Sequence, residues 1–385
     1  MKVSRKAYRR FNLIFLAICL PGLLSAGLFN VFVDPYGVTY SPVLDNFNNL
    51  KIEKFNNVRL FKAVDVMRLR PKNILLGSSR TDIGLDPNHP AVATQNSYNL
   101  GLVGPNMYEV RRYFEHALTN QPEVKTVVLG LDFFMFNGYS ENSPDFDEER
   151  LSKKSLTLQD SINVSFSISA FQTSLQTVKS SVKSDAYYLY HPNGHRYVYG
   201  NKPDEPLKNK FKNMLTGFLK SSGYYAKHQF SQKYLDDLKA VVETCKEKNI
   251  ELRIFISPSH AAQFNAIKEA GLWTNFEDWK REVVKIAPVW DFSGYNSITT
   301  EPISDGMKNY WDSSHYRKEV GDLVLNRLFQ MQEEAIPNDF GVLLTTDNIE
   351  AHLKKVRTDQ AAWEKNNPDV VKLVQDVKRN VDGER

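Results

Sequence analysis

Cysteine is almost absent from this chain, with two in 385 residues. That excludes a disulfide framework and a cysteine-rich zinc site. Cys19 falls in an apolar segment and Cys245 in a helical pattern, so the two are not expected to pair. A dense basic stripe is also missing. Net charge is only +4 and the basic residues are dispersed, which argues against a nucleic-acid partner. No internal repeat, metal-ligand cluster or cofactor motif stands out, and no cofactor is expected. No large apolar lid of the kind a lipase carries is present either.

The most informative absence is of charge between Phe11 and Val33, where the chain reads FNLIFLAICLPGLLSAGLFNVFV. A bilayer crossing needs about 20 predominantly apolar residues, and this run is long enough. Pro21, Gly22 and Gly27 are tolerated in membrane helices. Lys2, Arg5, Lys6, Arg9 and Arg10 precede the run, and such a flank stays cytoplasmic. A cleaved signal peptide shares the basic start but has a shorter apolar core and a small-x-small site, which Ser25-Ala26-Gly27 matches poorly. A lipoprotein signal would need a small residue where Ile18 precedes Cys19. The expectation is a single-pass anchor in the cytoplasmic membrane with the remaining chain outside the cytoplasm, in the periplasm of a Gram-negative cell. No other segment is long and apolar enough to span.

Beyond residue 50 the chain alternates short apolar runs with amphipathic stretches. Residues 52–69 have Phe55, Val58, Phe61, Val64 and Met67 at helical spacing. Strands are expected at 73–76, 97–102, 124–131, 252–256 and 289–292, with helices at 106–118, 231–248, 276–286 and 316–330. This pattern predicts an α/β fold with a mainly parallel sheet covered on both faces. Sites in such sheets gather at the carboxyl ends of strands. Ser78-Ser79, Gly101–Asn106, Asp132 and Ser257–His260 all fall there.

The expected organisation is a basic tail (1–10), an anchor (11–33), an extracytoplasmic domain (34–335) and a charged helical extension (336–385). Residues 138–227 break the alternation and read as an insertion over or beside the rim. Its aromatic-rich "DAYYLYHPNGHRYVYGN" is either a surface for stacking sugars or a loop packing its own tyrosines.

Three motifs carry chemistry. "ILLGSSR" ends the first strand and offers Ser79 as a nucleophile. "YWDSSHY" places Asp312 three residues before His315, a spacing that sets a carboxylate against an imidazole. "NLGLVGPN" supplies Gly104. Each is weak alone, since serine and aspartate commonly cap helices. Arg80 would bind an anionic sugar or pair with an acid; His260 would line the rim or start a helix. Asn106 would orient a substrate or cap a helix, and Tyr310 and Trp311 would form a sugar platform or pack.

The order of these motifs resembles the SGNH, or GDSL-like, hydrolase superfamily, over roughly residues 72–330. There the nucleophile is the third residue of Gly-Asp-Ser-Leu, and Asp-x-x-His lies near the carboxyl end. The resemblance implies a three-layer α/β/α fold, a Ser79-His315-Asp312 triad, and an oxyanion hole from the Ser79 and Gly104 amides. The third family block is Gly-x-Asn-Asp, whose Asn donates to the oxyanion. Here "GLDFF" puts Asp132 at that place, and an ionised Asp cannot donate. Asp132 is then structural, protonated in a dry site, or a mark of weak activity. With its anchor, the chain resembles membrane-anchored proteins of polysaccharide O-acetylation and teichoic-acid D-alanylation. That implies a serine acyltransferase or esterase acting on an envelope polysaccharide, with a membrane-bound O-acyltransferase as partner. The alternative is a non-catalytic scaffold on the same fold.

Overall fold

The computed structural model describes residues 5–184, 188–199 and 205–383. The first helix, α1 (Arg5–Val33), contains Tyr8–Val33, the one helix among the described residues that is long and apolar enough to cross a membrane. Cys19 is exposed on it, and Cys245 is buried elsewhere; neither forms a disulfide.

After a 3-10 turn, α2 (Val58–Leu69) leads into β1 (Asn73–Leu76) and the short α3 (Ser79–Gly84). Next come β2 (Ser97–Asn99), α4 (Met107–Asn120) and β3 (Thr126–Leu131). A long excursion then contains α5 (Glu148–Leu151), α6 (Leu158–Phe166), α7 (Ile168–Lys183), the antiparallel pair β4 (Tyr188–Tyr190) and β5 (Arg196–Tyr199), and α8 (Leu207–Lys220). The alternation resumes with α9 (Gln232–Glu247), β6 (Glu251–Ile256), α10 (Ala261–Glu269), α11 (Trp273–Ile286) and β7 (Val289–Asp291). The chain closes with α12 (Lys318–Phe329), β8 (Val342–Leu344), α13 (Ile349–Asn366) and α14 (Pro368–Gly383).

The fold is mixed α/β around one six-stranded sheet in the order β2-β1-β3-β6-β7-β8. The first five strands run parallel, with Ile74 beside Val127 and Leu129 beside Ile254. Their side chains are apolar on both faces and fully buried at Ile74, Leu75, Leu76, Val127, Val128 and Leu129. A strand buried on both sides gains hydrophobic stabilisation from every residue, which is why these runs do not alternate.

Several elements depart from the sequence expectation. The second strand stops at Asn99 because the Asn99 side chain turns back and accepts from the Gly101 amide. The chain still follows β1 as far as Leu102, whose N–H donates to Gly77 O. The expected charged extension adds β8 to the sheet edge, antiparallel to β7. Its helices bury Leu353, Val356, Trp363, Val374, Val377 and Val381, so the segment shares the main core.

The excursion leaves and returns through one point. Asn137 pairs with Phe230 in an isolated antiparallel bridge, and its side-chain amide donates to Ser222, Tyr224 and Lys227 carbonyls. The β4–β5 hairpin lies along the β2 edge, where Asn99 N–H donates to Asn193 O at 2.8 Å. It is also tied to α3. Buried Asp82 accepts from Lys62 at 2.5 Å and from Tyr190 at 3.1 Å, and it forms an ion pair with Arg196 at 2.9 Å. Burial lowers the Lys62 pKa to about 8 against the pull of Asp82. Of the aromatic-rich stretch, Asp185–Tyr187 and Gly200-Asn201 lie outside the described residues.

Candidate active site

β1 delivers its chain into α3 through Gly77, whose φ is +147°. A Cβ there would stand 2.3 Å from Thr81 Oγ1 and 2.9 Å from Gly130 O, so only glycine permits the turn. Ser78 caps α3, its Oγ accepting from Arg80 N–H at 3.2 Å. Ser79 is thereby the first helical residue, half-buried, with its hydroxyl free of the cap.

His315 comes from the opposite end of the domain. Its ring Nε2 lies 2.9 Å from Ser79 Oγ. Its Nδ1 lies 2.9 and 3.1 Å from the two Asp312 carboxylate oxygens. Asp312 accepts from Nδ1–H, which leaves the Nε2 lone pair for the serine hydroxyl. Asp312 is itself fixed, because Oδ1 also accepts from the Ser314 and His315 amides at 2.7 and 2.9 Å. This is the local turn that a short carboxylate favours.

The loop carrying this pair is welded in place. Tyr310 and Tyr316 bridge across its base, and Trp311 N–H donates to His315 O at 2.9 Å. Fully buried Tyr310 donates to Pro258 O, so it is a strut. Trp311 packs under the Arg317 guanidinium at 3.8 Å from the ring centre. Ser313 Oγ donates to Gln263 on α10 at 2.9 Å.

The Asp132 question has a geometric answer. Asp132 ends β3 and is 1% exposed. Its Oδ1 accepts from Arg80 at 2.5 Å and its Oδ2 from the Ser78 hydroxyl. Arg80 Nε also donates to Ser314 Oγ at 3.1 Å. One buried ion pair thus ties the serine turn, the β3 end and the histidine loop together. Burial works against the Arg80 cation, but Asp132 outweighs it and raises its pKa. Both lobes of the Asp132 carboxylate are occupied, so it is an anchor for Arg80.

His260 is committed in the same structural sense. It caps α10 by accepting from Ala262 N–H, and its Nε2 lies 2.8 Å from Glu301 O. Burial drives its pKa down to about 4. Asn106 caps α4 by accepting from Glu109 N–H at 3.0 Å.

Gly104 has φ +55° and lies two residues beyond Leu102, whose amide is bonded to Gly77 O. A Cβ at Gly104 would stand 2.5 Å from the Tyr224 hydroxyl. Tyr224 comes from the excursion. Its ring stacks on Phe218 at 4.6 Å and meets Phe134 edge-on at 5.0 Å. Burial raises its pKa, so the phenol stays a donor.

Sequence reasoning missed Tyr224, Ser314 and Gln263. Ser314 was visible between Asp312 and His315, but its partner Arg80 was not. Tyr224 sits in "SGYYAK", where no spacing signals its neighbour 120 residues earlier. No family model matches the chain, and no curated protein matches it.

Proposed function

We propose that this protein is a membrane-anchored serine acyltransferase or esterase of SGNH type. Its substrate class is the O-acyl, chiefly acetyl, groups of an envelope or exported polysaccharide. The observation that carries this reading is the continuous Ser79–His315–Asp312 chain at the ends of the parallel strands, with a half-buried serine at its open end. The three-layer arrangement of that superfamily is part of the proposal, as is a domain outside the cytoplasmic membrane.

In this reading Ser79 Oγ attacks the acyl carbonyl while His315 Nε2 takes its proton. Asp312 steadies the imidazolium. The Ser79 and Gly104 amides and the Tyr224 hydroxyl face the developing oxyanion, with Tyr224 taking the place that relatives give to Asn. A fixed donor of this kind contributes about 3 kcal/mol to the transition state. His315 then protonates the departing oxygen, leaving acyl-Ser79. A sugar hydroxyl completes transfer, or water completes hydrolysis, with His315 again as base. A membrane-bound O-acyltransferase is the proposed source of the acyl group.

The test uses the full chain in detergent with a nitrophenyl acetate ester and intact mass measurement. Ser79→Ala should lose the acyl adduct and nearly all nitrophenol release; unchanged release would remove Ser79 as nucleophile. A second reading, a binding or scaffold protein in polysaccharide export, is favoured by Asp132, which is committed to Arg80 and donates nothing. It expects no adduct on the unaltered protein and retained glycan binding.

A further inference from the structure

Helices usually bury their apolar face. α7 does the reverse. It turns Ala170, Ser174, Thr177 and Ser181 inward, all 0–1% exposed. Outward it presents Ile168 at 79%, Phe171 at 39% and Leu175 at 50% exposure. The spacings of three and four residues align these on one side of the helix. The preceding α6 adds Leu158 at 78% and Ile162 at 46%, one turn apart. Two consecutive helices thus expose large apolar side chains, the kind of surface that marks an interaction site.

The place of this hairpin decides what covers it. It packs against the last turns of α1. Gly27 lies against Phe166, with a hypothetical Cβ only 2.3 Å from that ring. The Phe29 and Phe171 rings are 5.7 Å apart. Asn30, a polar residue in an apolar helix, donates to Ser165 O at 2.8 Å and accepts from Ser174 Oγ at 2.9 Å. These contacts fall inside the candidate span Tyr8–Val33. From Phe11 to Gly27 the helix rises about 24 Å, against a hydrocarbon core of about 30 Å. The hairpin therefore meets α1 at the depth of the leaflet boundary. Leu28 and Phe32, 70% and 47% exposed on α1, continue the same apolar character. Lys179 and Lys183 are exposed at the far end of α7, where their amines can reach headgroups.

We infer that the α6–α7 hairpin is a second membrane element, lying in the interface of the leaflet from which α1 emerges. Its stripe enters the acyl–headgroup boundary by about 5–10 Å, as interfacial helices do. The domain is then held by a span and a surface helix pair together. This fixes its orientation on the bilayer and not merely its distance. The inference rests on α1 spanning the membrane and is independent of the acyl-transfer chemistry.

The test places one fluorescently labelled cysteine at a time in the Cys19→Ser full chain, whose remaining Cys245 is buried, in phosphatidylcholine nanodiscs. The positions are Ile162→Cys and Leu175→Cys on the stripe, Leu13→Cys on α1, and Lys354→Cys on an exposed part of α13. Lipids with a nitroxide high on the acyl chain should quench the labels at 162, 175 and 13, and leave 354 unquenched. Aqueous iodide should give the reverse order. Labels at 162 and 175 that follow 354 would overturn the proposal and point to a protein partner over the stripe. An unquenched 13 would overturn it at its base, because α1 would not span. An unfolding transition unchanged by labelling establishes that each variant reports on the folded protein.

Discussion

Among the described residues, two aspartate–histidine pairs are in contact, and one of them reaches a serine hydroxyl. Asp312 and His315 meet at 2.9 Å, and so do Asp291 and His352. Both carboxylates are buried, and both sit beyond or at the end of elements on the parallel sheet. The difference is in the remaining partners. His315 passes its second nitrogen to a half-buried serine. Asp291 instead also accepts from Lys280 at 2.6 Å and from Ser293 Oγ at 2.6 Å. Burial would raise the Asp291 pKa, but Lys280 and His352 outweigh it and hold the carboxyl well below its usual range. The pair on β7 is an ionic clamp holding α13 and α11 to the sheet. Pair geometry therefore does not distinguish the two; the group beyond the histidine does.

The comparison is broken most sharply by removing each carboxylate in turn. Asp312→Asn should lower ester turnover by about 10⁴-fold with the fold intact, because the imidazole loses its tautomer and its counter-charge. Asp291→Asn should leave turnover of the folded fraction unchanged. It should cost about 3–5 kcal/mol in denaturant unfolding, since Lys280 is left buried and unpaired. Equal losses of turnover in both variants would erase the distinction.

Smaller changes sharpen it. Tyr224→Phe removes one hydroxyl beside Gly104 and should reduce kcat about a hundredfold with little change in KM. The same kcat in both proteins would remove Tyr224 from the oxyanion site. His260 offers a signed effect, on stability and not on turnover. Its folded pKa of about 4 lies below the ordinary 6.5, so its stabilising contribution is complete above pH 6.5. That contribution is lost as pH falls from 6.5 through about 4, by roughly 3 kcal/mol for the whole shift. His260→Gln should flatten that part of the stability profile, read from urea midpoints at successive pH values. An unchanged slope would show that His260 is not the titrating group.

Much of the frame is legible in the residues themselves. The run Asn73–Leu76 reads as a buried strand and is one, because a short apolar run before a glycine leaves few other conformations. The helix expected at 231–248 is α9 at 232–247, with Ser231 capping it. The short α3 and α10 were not legible. Six or nine residues carry little periodicity, and both helices are held by what surrounds them. In α2 the apolar spacing was right, yet Arg59, Lys62 and Asp65 are buried as well. Their partners Glu109, Asp82 and Tyr98 are distant in sequence and leave no local mark.

Local pattern alone determined the apolar first helix, the short buried strands, and the order in which Ser79, Gly104, Asp312 and His315 occur. Those features depend on neighbours within a few residues. Tertiary structure alone decided that Ser79 Oγ reaches His315 across 236 residues. It also set Asp132 against Arg80, brought Tyr224 beside Gly104, and turned the apolar face of α7 outward. Each is a contact between segments far apart in the chain. A hydrogen bond of about 3 Å depends on how whole elements pack, and spacing along the chain carries no record of that.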